Sequence, residues 1–271
     1  MSLVQFVTIA AIAGAVLSAS MAIAWWVQDR TANGGWLDVF WTFAVGITAA
    51  GIAVLPLTDP PWLHLRQSMV LGFVSVWVLR IGIGRVVRTY GLGDDQRYRE
   101  LISGWGAQAS RRMFWLAQGQ AAAGSVLVLS VALAAHNPDP GIRIQDALGP
   151  LITGIAVAAG VVADAQLRRF KAGHVHVRAV CDTGLWRWSR HPDYFFEWMA
   201  WLAYPVVAVD LSGYNPYGWL SVLGPFCMYW VFVVVSGLRP LEHYMAQTRG
   251  EAYRRYQRRT SRFFPLPPSP E

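Results

Sequence analysis

Apolar residues run through this chain in long blocks, and polar residues gather between them. The blocks are 3–27, 36–56, 67–87, 113–134, 147–165, 194–211 and 217–237. About 20 mainly apolar residues carry a helix across a bilayer. The pattern therefore predicts an all-α polytopic membrane protein of about seven transmembrane helices. Arg80 interrupts the third block and Glu197 the sixth; if one of these does not cross, the count is six.

Composition strengthens this reading. Of 271 residues 54% are hydrophobic and only 14% charged, a profile of integral membrane proteins. The first block differs from a secretory signal: no Lys or Arg precedes it, Arg30 is the first basic residue, and it ends in Trp25 and Trp26, which suit an interface. Cys181 and Cys227 form no C-x-x-C pair, and no disulfide is expected. The end, "FFPLPPSPE", reads as extended chain.

Charge then orients the chain. Arg88, Arg97, Arg99, Arg111 and Arg112 fall between the third and fourth blocks. Arg168, Arg169, Lys171, Arg178, Arg187 and Arg190 fall between the fifth and sixth. Seven more arginines, Arg239 to Arg262, follow the last. The alternate loops carry Arg66 and Arg143. Seven spans with the N-terminus outside place every basic loop in the cytoplasm, as in a bacterial inner membrane. The net charge of +7 reflects this asymmetry and the anionic inner leaflet; a nucleic-acid partner is not expected.

Polar groups that crowd against apolar blocks are the candidates for chemistry. In "ADAQLRRFK", Asp164 and Arg168 share a helical face, as do Gln166 and Phe170. The stretch is either an interfacial cap or part of a site. In "SRHPDYFFEW", Pro192 suits the first turn of a helix, with Ser189 or His191 as its cap. Arg190 and His191 then stand at the positive end of that helix, with Arg187 nearby, a place that suits phosphate. Tyr194, Glu197 and Trp201 form one stripe further in. A carboxylate at that depth costs about 2.5–3.5 kcal/mol and needs a hydrogen-bond donor or an arginine such as Arg80. In the tail, Tyr253 and Tyr256 lie three apart among Arg254, Arg255, Arg258 and Arg259. That helix could rest on an anionic membrane or fold over a nucleotide. "GIG" at 82–84 has no strand before it and is no dinucleotide fingerprint; Walker, zinc and serine-triad motifs are missing, and His174 with His176 does not make a metal pair.

Taken together, "DAQLRRFK", "DTGLWRWSRHPDYFFEW", "PLEHYM" and "RGEAYRRYQRRTSRFFPLPP" resemble the DUF1295 family of bacterial membrane proteins. That family is similar to the steroid 5α-reductase and sterol-reductase group, with isoprenylcysteine carboxyl methyltransferases as more distant relatives. The resemblance covers about residues 75–271 and is strongest over 163–200 and 241–267. It implies one integral membrane domain. Residues 1–134 would hold a lipid substrate, and residues 147–271, with their loops and tail, would hold NADPH from the cytoplasmic side. Carried over, Asp164, Gln166 and Lys171 belong to the cofactor segment, with Arg187 among its phosphate donors. Arg190, His191, Tyr194 and Glu197 line the phosphate and nicotinamide-ribose region, and Tyr253 and Tyr256 close it.

The implied activity is NADPH-dependent reduction of a carbon–carbon double bond in a steroid-, sterol- or isoprenoid-like lipid. It needs a hydride on one carbon and a proton on the other. Steroid reductases generally carry a Tyr or His in the third span; this chain has Gly82 and Gly84 there. Arg80, Tyr90 and His64 are the substitutes in reach. Two alternatives stay open: an S-adenosylmethionine-dependent methyltransferase of the isoprenylcysteine type, and a non-enzymatic protein that keeps the fold. The number of arginines favours the nucleotide, because S-adenosylmethionine is not anionic overall.

Overall fold

The structure, a computed structural model, describes residues 1–57, 61–92, 96–139, 141–174, 179–213, 215–235 and 238–269. Among them there is no strand; Ser189 and Ser261 form an isolated bridge. The helices are α1 (Leu3–Thr31), α2 (Gly35–Ala53), α3 (Pro61–Leu92), α4 (Gln96–Trp105), α5 (Ala109–Ala135), α6 (Ile144–Gly173), α7 (Pro192–Trp201), α8 (Ala203–Ala208), α9 (Leu223–Trp230), α10 (Leu238–Arg249) and α11 (Glu251–Arg259). They form two compact units, Met1–Pro150 with Tyr204–Cys227, and Leu151–Ala203 with Met228–Glu271.

In the first unit α5 packs against α1, α2 and α3, and α2 packs against α1 and α3. A capping box starts α1: Ser2 Oγ accepts from Gln5 N at 3.2 Å, and Gln5 Oε1 accepts from Ser2 N at 2.8 Å. One stripe of α1 is buried, through Ile9, Ala13, Leu17, Met21 and Ala24. Its other faces expose Val4, Val7, Ile12, Val16 and Ile23, as a helix does whose outer solvent is lipid. Helices approach closely where glycine permits. A side chain at Gly124 would meet Val45, Leu17 and Trp41, and one at Gly82 would meet the Phe43 ring. Gly82 thus serves α2–α3 packing.

The two cations of the sparsely charged loops are consumed internally. Arg66, 1% exposed, donates Nε and Nη2 to the two carboxylate oxygens of Asp146 at 2.9 and 2.8 Å. Its Nη1 donates to the carbonyls of Asn137 and Asp139. Arg143 donates to the carbonyls of Val207 and Val209, and Asn137 and Asn215 donate to that of Ala208. These side chains satisfy carbonyls that the end of α8 leaves open.

Six helical stretches are long and apolar enough to cross a bilayer: Leu3–Thr31, Gly35–Ala53, Leu65–Gly91, Tyr98–Ala135, Ile144–Gly173 and Pro216–Val234. The protein is an integral membrane protein. The block predicted at 194–211 is instead the short pair α7 and α8. The physical reason is Pro205, which has no N–H to give the carbonyl four residues back, at Trp201, where α7 stops.

In the second unit, the tail bonds to the segment before α7: Arg190 reaches Glu242, Gln257 and Thr260. Pro216–Val234 supplies one crossing. The short pair α7–α8 is not among the six stretches long and apolar enough to cross.

Candidate functional site

The polar groups of the second unit converge where the tail lies along the segment 184–191. The foundation is α6. Trp186 Nε1 donates to the Ala163 carbonyl at 3.0 Å, and Leu185 N donates to Gln166 Oε1 at 2.9 Å. Gly184 makes this possible. Its φ is +60°, and a side chain there would strike the Gln166 amide. Gln166 therefore holds a turn.

The tail is fastened above. Arg190 N donates to the Ser261 carbonyl at 2.8 Å, Leu266 N to the Trp188 carbonyl at 3.1 Å, and Ser189 Oγ to the Phe263 carbonyl at 2.8 Å. The buried Tyr256 gives its hydroxyl to the Trp186 carbonyl. Phe263 inserts among Phe195, Trp198 and Tyr229. Of the two caps expected from sequence, Ser189 or His191, His191 occupies the N-cap position of α7 without a side-chain cap bond, and Ser189 Oγ accepts from His191 N at 3.1 Å.

At the centre is Glu242, whose side chain is 12% exposed. Oε1 accepts from Arg190 Nε at 2.7 Å and lies 3.2 Å from His191 Nε2. Oε2 is 3.2 Å from Arg262 Nε. Burial by itself would raise this carboxyl. The hydrogen bonds from His191 and Arg190, with the arginine charge, override burial and hold it at about 2. Arg190 Nη1 donates to the carbonyls of Gln257 at 2.9 Å and Thr260 at 2.7 Å, the C-terminal end of α11. Sequence reasoning leaves Arg190 and His191 open to a phosphate at a helix N-terminus. The structure turns both inward onto Glu242, so the guanidinium fastens α10 to α11.

Two buried polar atoms beside this network have no hydrogen-bond partner among the described residues: the Tyr253 hydroxyl, on a side chain 1% exposed, and Asp193 Oδ1. Burial raises the Tyr253 hydroxyl, as does the charge of Glu242, while Arg190, Arg249 and Arg262 act in the other direction. Glu197 and Trp201 are buried in α7 as the predicted stripe requires, and Tyr194 sets its ring edge-on to His191 and Phe232.

The remaining sequence candidates divide. Asp164 is half-buried on α6, whereas Arg168, Arg169, Lys171 and Arg187 are exposed. Arg80 and Tyr90 lie on α3 in the other unit; Tyr90 is 74% exposed and rests on the edge of Trp36. The side chain of His64 and all of His176 lie outside the described residues. His174 stacks on Phe170. No group of three potential metal ligands occurs among the described residues, and both cysteines are free. Glu242 lies just past the last span in the tail stretch that the sequence singles out, but neither it nor Arg262 is among the residues assigned to the cofactor from sequence. The available signal was an acid placed directly after the last span, within "PLEHYM".

Comparison with known proteins adds one decisive match: residues 24–260 fit the family described as "Protein of unknown function (DUF1295)". The chain belongs to the DUF1295 family. The DUF1295 match takes in all of α2 to α11 and reaches Thr260, whose carbonyl Arg190 holds. An uncharacterised protein of Schizosaccharomyces pombe is 32% identical over 87 residues, 31% of this chain. The similarity spans 23% of the length of that relative. No solved structure matches.

Proposed function

We propose that this DUF1295 protein is a membrane reductase that uses NADPH to saturate a carbon–carbon double bond in a lipid. The observation that carries the reading is the Tyr253 hydroxyl, sealed without a partner among the described residues and acted on by Arg190, Arg249, Arg262 and Glu242. A phenol in such a place suits a phosphate or ribose oxygen. Asp193 Oδ1 is the complementary acceptor, suited to ribose hydroxyls.

The residues present fit a dinucleotide with one revision. Arg190 is engaged by Glu242, so phosphate recognition falls to the exposed Arg187 and Lys171. Asp164, Tyr194 and Glu197 would orient the ribose and nicotinamide end, and Tyr256 with Gln166 would keep the tail and turn in place. NADPH supplies a hydride. The chain's own contribution is to bind it, to exclude water beneath a tail fastened by Ser189, Phe263 and Tyr256, and to leave the apolar spans for the lipid.

The test is a melting curve of the detergent-purified protein with NADPH, NADH or S-adenosylmethionine. NADPH at 100 times its Kd should stabilise by about 2.7 kcal/mol, and Tyr253→Phe should reduce the shift. A shift with S-adenosylmethionine alone supports the methyltransferase reading instead. The lack of a shift with any of the three overturns both.

A further inference from the structure

A second polar cluster lies in the first unit, where α2, α4 and α5 meet. Tyr98, 5% exposed, donates its hydroxyl to Asp38 Oδ1 at 2.8 Å. The same oxygen accepts from Gln120 Nε2 at 3.2 Å. The backbone around Gln120 is held as well, since its carbonyl accepts from Trp41 Nε1 at 2.9 Å. One turn along α2, the fully buried Thr42 donates to the Asp38 carbonyl at 2.7 Å and accepts from Arg85 Nη1 at 2.6 Å.

These bonds fix the direction of the Gln120 amide. Tyr98 gives its single proton to Asp38, so its oxygen can only accept, and Gln120 must present Nε2 to it. Oε1 then points the other way. It is buried and has no hydrogen-bond partner among the described residues. The arrangement is a preset acceptor on a membrane span, aimed by three neighbouring side chains. A structural staple between helices would need the amide nitrogen alone.

We propose that Gln120 Oε1 receives the polar head of a lipid substrate, and that this head is a hydroxyl group. The chemistry selects the class. An acceptor is satisfied by an O–H donor, whereas a ketone, aldehyde or ether oxygen brings a second acceptor and leaves both unpaired. The Tyr98–Asp38 pair positions Gln120. The inference rests on the proposed reductase for its reaction, but the binding of the lipid alcohol does not require the cofactor.

The experiment titrates the full-length protein in detergent, without nucleotide, with farnesol and cholesterol, each against its own methyl ether. The ether keeps the skeleton and the oxygen but has no proton to donate. At least one alcohol should bind about tenfold more tightly than its ether, the ratio one hydrogen bond to a buried acceptor supports. Gln120→Met, which keeps the length, should bring alcohol and ether within twofold. NADPH shifts are recorded in parallel on the parent and on Gln120→Met. An alcohol preference without an NADPH shift would leave this site standing and remove the reductase. Equal binding of alcohol and ether in the parent, binding of neither, or a preference that survives in Gln120→Met overturns the proposal.

Discussion

A single carboxylate gathers the tail. Glu242 meets Arg190, His191 and Arg262, and its pKa of about 2 stands against an ordinary 4.5. The depression means that the unfolded chain binds the proton more readily than the folded one. The stabilisation is therefore complete above about pH 4.5 and is lost as pH falls toward 2. Its size is about 3 kcal/mol, at 1.36 kcal/mol per unit. We expect Glu242→Gln to lower the melting temperature at pH 7 by several degrees without nucleotide, and the gap between parent and variant to narrow steadily as pH drops from 5 toward 2. A gap that is constant with pH would separate the loss from the charge. Sequence reading singles out the charged stretch 187–191 and expects Arg190 to meet a phosphate, and the structure gives its guanidinium Glu242. The local rule for a helix N-terminus favours an anion there, and the anion that satisfies it comes from a residue 52 positions away. Nothing local in "SRHPDY" can show that.

Spans are legible in sequence because their cause is compositional: a block of apolar residues has no other way to be solvated. The break within the sixth is also legible, in Pro205, although the apolar run of 194–211 hides it. Turns depend on single positions and are less visible. Gly184 combines φ of +60° with direct approach to Gln166. Gly184→Ala should cost about 1–3 kcal/mol, from the left-handed backbone and from the hydrogen bond to Leu185 N that is displaced. Adding Gln166→Ala removes the collision but leaves the backbone penalty. The double variant should therefore melt above the value expected if the two losses were additive. Strict additivity would place the whole effect in the backbone. The Tyr98–Asp38–Gln120 relation is of the same kind as Glu242. Its members lie on α4, α2 and α5, and their spacing along the chain carries no trace of it.

For the whole molecule, the count of crossings and the distribution of charge make one joint statement. Six stretches are long and apolar enough to cross; if α7 and α8 cross as well, as the seven apolar blocks of the sequence predict, the termini lie on opposite sides and the basic loops share a side with the tail. The sparse side holds Arg66 and Arg143, both engaged with acids or carbonyls of the chain itself. We expect a reporter fused after Pro268 to be cytoplasmic and one fused before Ser2 to be external. Both reporters on one side would mean that α7 and α8 do not cross together. The fastening of the tail also has an order in time. Residues 238–266 leave the ribosome after every span, so Arg190 and His191 enter the membrane region with no partner from α10. Until the last apolar span, Pro216–Val234, has been made, the N-terminal end of α7 stays uncovered, and the clamp over it closes only on a chain whose last span has been completed. In this protein the assembly of the site is thereby a readout of finished insertion.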